Sequence, residues 1–315
     1  MSNCLLCYKP LKSGEVDYHP RCVKTFYQQK EVPELDFTIK ELDDLAQQVV
    51  NEHITITGVQ PKLSLAITSS EDVETKDRFT IVGLWGNYIL KPPFETYPQL
   101  PENEDLTMHL ARLFKIPTVP HGLIRMKSGE LAYICKRVDR TAGGMIHMED
   151  FCQLSERLTE DKYKGSMEQL AQVIQAFSSR SGYDLLSFFE LTVFCFLTGN
   201  ADMHRKNFSL LYPNKEMQLL APAYDLVNTK LAIPQDLEEM ALMLNGKKRK
   251  LKKSDFEMFG LKIGLKEKQI VNTFKRFSKL ATKAEKLVTQ SFLEEERKEQ
   301  YLDIMRERIK RLGLR

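Results

Sequence analysis

Asp202, Asn207 and Asp225 are the side chains whose types and order best suit chemistry, and Lys91 is the cation that would accompany them. The stretch Asn200-Ala201-Asp202-Met203-His204-Arg205-Lys206-Asn207 sets a carboxylate five residues ahead of an amide. An Asp-x4-Asn spacing lets the amide curl back to a metal while the carboxylate faces a substrate. Asp225 follows after two short apolar runs and would supply the second oxygen ligand that Mg²⁺ prefers. Phosphoryl transfer needs these parts: a carboxylate for the attacking hydroxyl, metal-holding oxygens, a lysine on the nucleotide and a loop over its phosphates. Taken alone, Asp202 and Asn207 also read as turn residues at a helix end, because loops are rich in both.

The elements that would position these groups can be read from periodicity. Residues 38–50 carry apolar side chains at helical spacing. The segment 54–68 alternates as strand, Gly58-containing turn and strand, and Phe79–Leu90 reads as a second strand pair running into Lys91. Residues 103–115 form a helix, and Gly122–Met126 with Leu131–Lys136 form a hairpin around Lys127-Ser128-Gly129. Beyond Asp139 the pattern turns helical, over 166–178 and 184–199, and the second of these is apolar nearly all round and therefore buried. Strands at 208–212 and 217–220 follow the polar stretch, and 239–252 reads as a hairpin turning at Asn245-Gly246. Ser254 with Glu257 reads as a capping box, and 265–312 as charged helix. The expected fold class is α+β: a strand-rich lobe followed by a mainly α-helical one, for which the layout of a two-lobed kinase is, on organisation alone, one option among several. The expected divisions are 1–30, 31–138 and 139–315.

A chain of 315 residues with 42% hydrophobic content can bury a real core, and a net charge of +3 does not suggest wholesale nucleic-acid binding. No apolar run reaches the length of a membrane span. The N-terminus lacks a basic segment followed by an apolar one, so a cytoplasmic protein without signal peptide is expected. Cys135, Cys152 and Cys195 lie in apolar contexts and read as buried free thiols. Cys4-x2-Cys7 and His19-x2-Cys22 have the pair-and-pair spacing of a structural Zn²⁺ site, against the plainer reading of three surface thiols and a stray histidine. The basic run Lys247-Lys248-Arg249-Lys250-Leu251-Lys252-Lys253 reads either as a solvated hairpin edge or as a docking site for an acidic surface or tRNA.

The strings TGNADMHRKNFSLL and LAPAYDLVNTK closely resemble the HipA-like serine/threonine kinases of bacterial toxin–antitoxin systems. ITGVQPKLSL resembles their phosphate-covering loop and YILKPP the strand bearing their nucleotide lysine. NEDLTMHLARLFKIPTVP, AYICKRVDR and MEDFCQL resemble the elements that follow, so the resemblance runs from about residue 54 to the end. It implies that Asp202 is the catalytic base, that Asn207 and Asp225 hold Mg²⁺, and that Lys91 contacts the α/β-phosphates of ATP. It further implies that Thr57, Gly58, Val59, Gln60, Pro61 and Lys62 cover the phosphates. Lys136, Arg137 and Val138 would lie at the adenine, and His204, Arg205, Lys206 and Tyr224 would complete the nucleotide site. Glu104 is a candidate partner for Lys91; it reads equally as a solvated carboxylate in a first helical turn.

The loop has one glycine where ordinary protein kinases have three. In the family a hydroxyl residue of this loop can be autophosphorylated, which points to Thr55, with Thr57 next, unless both are simply strand-forming residues. About two negative charges there would repel the ATP phosphates. The resemblance also implies a helix-turn-helix antitoxin partner, with DNA reached only through it, and a protein substrate such as an aminoacyl-tRNA synthetase. Only about 50 residues precede the loop, so the chain resembles the short form, HipT and stand-alone HipA C-terminal-domain proteins, whose missing subdomain is a separate small protein. A small-molecule phosphotransferase and a non-catalytic zinc-dependent binding protein are the alternatives.

Overall fold

A computed structural model describes residues 2–42, 62–68, 77–82, 85–141 and 144–314. Contacts divide the chain into two compact units. One comprises Met1–Asp105, Val119–Arg137 and Gln290–Leu293; the other comprises Leu106–Thr118, Val138–Thr289 and Glu294–Arg315.

The first unit is built on an antiparallel five-stranded sheet. Its strands are β1 (Leu63–Thr68), β2 (Arg78–Ile81), β3 (Tyr88–Lys91), β4 (His121–Arg125) and β5 (Leu131–Lys136), in the order β2-β1-β3-β5-β4. The β4–β5 hairpin forms as expected. The strands within 79–90 do not pair with each other: β1 lies between them, with Leu65 opposite both Ile81 and Tyr88. One face carries Leu63, Leu65, Phe79, Tyr88, Leu90, Ala132 and Ile134, which pack with Cys4, Leu6, Val23, Phe26 and Tyr27 from the N-terminal segment. Alternation along β3 therefore turns Leu90 into this core and Lys91 to the opposite face. A helix begins at residue 39 and is described as far as Leu42; the rest of the helix expected over 38–50 lies outside the described residues.

The second unit is mainly helical. Its centre is the Ser181–Leu197 helix, of which Phe188, Phe189, Val193, Phe194, Phe196 and Leu197 are fully buried. Beside it stand the helices Met167–Phe177, Lys253–Lys262, Glu267–Thr289 and Glu295–Arg311. The stretch 265–312, expected to be helical and charged, consists of two helices interrupted at 290–294. Three strands, β8 (His147–Asp150), β9 (Ser209–Asn214) and β10 (Met217–Leu220), form a sheet ordered β10-β9-β8. Residues Arg140–Thr141 and Gly144–Met145 form the small pair β6–β7.

No hairpin forms over 239–252. Asn245-Gly246 does turn the chain, closed by the bridge between Leu244 and Lys247 and by a Glu239 N–H to Lys248 O bond at 2.8 Å, without forming a strand ladder. The side chains explain this: Met240, Ala241, Leu242, Leu244 and Leu251 are buried without strand alternation, as irregular backbone can bury them. The following helix starts at Lys253 rather than beyond a Ser254 cap. The Asp255 carboxylate accepts from the Lys252 backbone N–H at 2.8 Å, so the reach-back expected of Glu257 is made by Asp255. Among the described residues no helix is long and apolar enough to cross a membrane.

Candidate active site

In the second unit, the buried helix ends at Leu197 and hands over to the polar stretch through Gly199, whose φ is +70°. A Cβ at Gly199 would meet Asn228 Oδ1 at 2.8 Å and Ile304 Cγ2 at 2.9 Å, so glycine is required by space as well as conformation. The Asn200 N–H then donates to Cys195 O, and the Asn200 side chain accepts from the Asp202 N–H at 3.0 Å. Asn207 closes the loop on itself. Its amide nitrogen donates to the Asp202 carbonyl at 3.0 Å, so its amide oxygen is the atom suited to a cation.

Residues on either side of Asp225 are bonded to this loop. Ahead of it, the Tyr224 hydroxyl meets Ser209 Oγ at 2.6 Å and donates to Lys206 O at 3.3 Å. Behind it, Thr229 Oγ1 accepts from the Ala201 N–H at 2.8 Å and donates to Gly199 O at 3.1 Å. Asp225 itself sits at φ +60°. The two carboxylates share an electrostatic neighbourhood: both raise the Tyr163 phenol, after burial as the larger cause, and both partly offset the burial that lowers His204.

Tyr163 was not anticipated. Its hydroxyl donates to Asp202 Oδ1 at 2.6 Å, and its ring meets the His204 ring edge-on with centroids 4.9 Å apart. It lies 39 residues before Asp202 in an irregular segment, and no spacing rule would have found it.

Other expected residues are placed as follows. Arg205 is buried, and its guanidinium is committed to Lys164 O, Ser155 Oγ and Gln169 Oε1 at 2.9, 3.2 and 2.7 Å. Lys206 pairs with Asp150 at 3.1 Å. Val138 lines an apolar cavity of the second unit with Ile116, Leu191, Leu211 and Ala223. Lys247, Lys248 and Lys253 of the basic run pair with Asp255, Glu238 and Glu257.

In the first unit, Lys91 is 4% exposed and donates to both oxygens of Glu104, at 2.6 and 2.8 Å. Its ammonium also lies 5.5 Å from the Tyr133 ring centroid, across the β3–β5 register. Glu104 comes from the Leu100–Leu113 helix and is buried, so it is not a solvated first-turn carboxylate. Next to it, Asp105 meets His121 Nδ1 at 2.7 Å. The Lys136 side chain lies over the Phe26 and Tyr88 rings, and burial lowers its pKa. The backbone N–H groups of Lys136 and Arg137 are taken by Pro120 O and Asn87 O. Lys62 is exposed. Thr55, Thr57, Gly58, Val59, Gln60 and Pro61 lie outside the described residues.

The sequence model of the HipA-like C-terminal domain family matches residues 54–285. The chain belongs to this family. A Haemophilus influenzae protein named "Putative kinase" is 29% identical over 348 aligned positions, covering all of this chain and 98% of that protein. "Putative kinase Y4dM" of Sinorhizobium fredii is 34% identical over 61% of this chain and 49% of its own length. The "Serine/threonine-protein kinase toxin HipA" of Shewanella oneidensis is 27% identical over 60% of this chain and 46% of its own. The HipA-like chain thus spans about half the length of these last two relatives and nearly all of the first. Among solved structures, Shewanella oneidensis HipA, determined with HipB and operator DNA, superposes with a TM-score of 0.67 at 20% identity, over 85% of this chain and 71% of that one. The Helicobacter pylori proinflammatory kinase CtkA superposes at 0.54 and 16% identity, over 72% and 88%. The fold is therefore the kinase-like α+β fold that these proteins share.

Proposed function

We propose that this HipA-like chain is an ATP- and Mg²⁺-dependent serine/threonine protein kinase. The observation that carries the reading is the loop in which Asn207 folds back on Asp202 while Tyr224 and Thr229 hold Asp225 against it. In this reading Asp202 takes the proton of the substrate hydroxyl, and Asn207 and Asp225 would hold Mg²⁺ through their oxygens, the ion supplying neutralisation of phosphate charge when bound. Lys91, oriented by Glu104, donates to the nucleotide phosphates, and the 57–62 segment covers them. Arg205 acts at one remove: it fixes the loop's backbone to the elements around Lys164 and Gln169 rather than touching nucleotide. Recognition of adenine falls to groups other than the N–H donors of Lys136 and Arg137, since both are committed within the sheet.

The test is transfer of labelled phosphate from Mg-ATP to protein substrates by wild type, Asp202→Asn and Asp225→Asn. Loss of a general base lowers the rate by about 10²–10⁴-fold. Asp202→Asn is expected to fall by this factor while still binding a fluorescent ATP analogue, and unchanged transfer would overturn the assignment. Sugars, choline and aminoglycosides serve as competing acceptors, and preference for one of them would favour a small-molecule phosphotransferase.

The finer reading follows the relatives. The chain acts in the cytoplasm as the toxin of a toxin–antitoxin pair and associates with a helix-turn-helix antitoxin and a separate small protein. It phosphorylates a translation component such as an aminoacyl-tRNA synthetase and is silenced by autophosphorylation at Thr55 or Thr57. Comparing the phosphoproteomes of cells expressing wild type and Asp202→Asn identifies the substrate. Peptide mapping of 54–62 after incubation with Mg-ATP checks the loop, and an unmodified peptide counts against silencing by this route.

A further inference from the structure

The N-terminal cysteines and His19 take no part in phosphoryl transfer, yet their arrangement is that of a built site. The four atoms Cys4 Sγ, Cys7 Sγ, Cys22 Sγ and one His19 ring nitrogen all lie within 4.8 Å of one another. His19 Nδ1 is 3.4 Å from Cys7 Sγ and 3.8 Å from Cys22 Sγ. A tetrahedral ion with Zn–S near 2.3 Å and Zn–N near 2.0 Å has S···N edges of roughly 3.5 Å. The spacing is thus that of four ligands around one small cation, too close for a cluster of several metals.

The backbone prepares each ligand. The Tyr8 N–H donates to Cys4 O at 2.9 Å, so Cys4 and Cys7 sit on one tight turn, completed by Tyr8 at φ +60°. His19 immediately precedes the Pro20–Tyr27 helix, whose first turn brings Cys22 back beside it. His19 Nε2 lies 3.1 Å from the Pro10 carbonyl, which can only accept. The ring proton therefore sits on Nε2, and the Nδ1 lone pair points at the thiols. Such a carbonyl partner fixes tautomer and ring orientation in metal-binding histidines.

We propose that Cys4, Cys7, His19 through Nδ1, and Cys22 bind one structural Zn²⁺ ion. Three thiolates and an imidazole with no open position make a closed site of the structural class. The ion braces the sheet that carries Lys91. The Leu123 N–H of β4 donates to Leu5 O at 3.1 Å, between the two ligands of the turn. Leu6 lies over Gly122, where a Cβ would come within 2.3 Å of Leu6 Cδ2. The Tyr18 hydroxyl, one residue before His19, donates to Leu123 O at 3.0 Å. Cys4 and Leu6 belong to the same buried cluster as Tyr88 and Leu90, the residues of β3 that lead to Lys91. The 30-residue segment has one eight-residue helix and packs Cys4, Leu6, Val23, Phe26 and Tyr27 against the sheet, and metal binding would add folding free energy to that packing.

The test is metal analysis of the full chain, purified without chelator and with any histidine tag removed. Wild type and Asp202→Asn are both expected to hold about one zinc per chain. Cys7→Ser with Cys22→Ser is expected to hold less than about a tenth of that. His19→Cys keeps four ligands and should retain the metal. Replacing zinc by Co²⁺ in wild type should give the visible bands of tetrahedral cobalt with thiolate charge transfer, stronger in His19→Cys. Hydrogen exchange over 120–126 should speed up when zinc is stripped from wild type, a readout independent of catalysis. Wild type without zinc and without cobalt bands would overturn the proposal, as would undiminished zinc in the double serine variant. Retention in Asp202→Asn keeps this outcome separate from the kinase reading.

Discussion

Replacing Glu104 by Ala would leave the Lys91 ammonium buried with its bidentate partner gone. Both side chains are almost wholly enclosed, at 5% and 1% exposure, so solvent cannot take over the lost role. Breaking a buried ion pair from one side costs about 3–5 kcal/mol, because the remaining charge stays inside without its carboxylate. Each 1.4 kcal/mol is about tenfold in an equilibrium, so the opening of β3 should become more frequent by a hundredfold to a few thousandfold. Hydrogen exchange followed by mass spectrometry on peptides covering 88–91 and 131–136 reads this directly. The double variant Lys91→Met with Glu104→Leu removes both charges and should recover most of the protection, since apolar replacement of a buried pair is often neutral or stabilising. Neither variant should transfer phosphate, so the recovery separates the fold from the chemistry. If Glu104→Ala changes exchange by less than about fivefold, or if the double variant is no better than the single, the pair does not organise this strand in the way the geometry implies.

Three further outcomes follow from the second unit. Tyr163→Phe removes a hydrogen bond to a charged acceptor worth about 1.5–3 kcal/mol, and kcat should fall by roughly ten- to a hundredfold with little change in KM for ATP; a rise in kcat would mean that the phenol obstructs Asp202 rather than orienting it. His204 is held below the ordinary histidine pKa chiefly by burial, so the folded state binds fewer protons than the unfolded one just below pH 6.5. Stability should therefore decline as pH falls from about 6.5 toward the lowered value, and thermal melts of His204→Gln should show a flatter profile over that window. Gly165 has φ +108°, and a Cβ there would come within 2.3 Å of both the Arg205 guanidinium and Gln169 Oε1. Gly165→Ala should accordingly lower the melting temperature and reduce transfer together, by displacing Arg205, at a cost of about 1–3 kcal/mol.

Much of the site could be read from residue order, because the Asp202-to-Asn207 loop closes on itself within five residues and local spacing suffices for it. The buried Ser181–Leu197 helix was equally legible, since a segment apolar on every side has nowhere else to go. Sheet order was not. Phe79–Leu90 read as a strand pair, yet β1 inserts between its strands, where Phe79, Tyr88 and Tyr27 pack their rings together in the core of the first unit. Glu104 could be named but not decided, because an acidic residue early in a helix looks the same whether it faces water or a buried lysine. Tyr163 left no trace, being brought to Asp202 by irregular backbone held through Arg205 to Lys164. The basic run read either as a solvated edge or as a docking patch, because the partners of Lys247, Lys248 and Lys253 (Asp255, Glu238 and Glu257) are brought to them by turns and a helix that charge counting does not reveal.

The left-handed backbone at Asp225 narrows the set of amino acids that the position can accept. Ordinary L-residues lose about 1–2 kcal/mol there, whereas Gly, Asn and Asp enter that region readily. Glutamate keeps the charge but not the conformational ease, glycine and asparagine keep the ease but not the charge, and aspartate alone meets both demands. In a saturation library at this codon, abundance of folded protein should favour Gly, Asn and Asp, and selection for phosphate transfer should then retain Asp by itself. The two rankings differ at Gly and Asn, so one position distinguishes variants that fail to fold from variants that fold and fail to act.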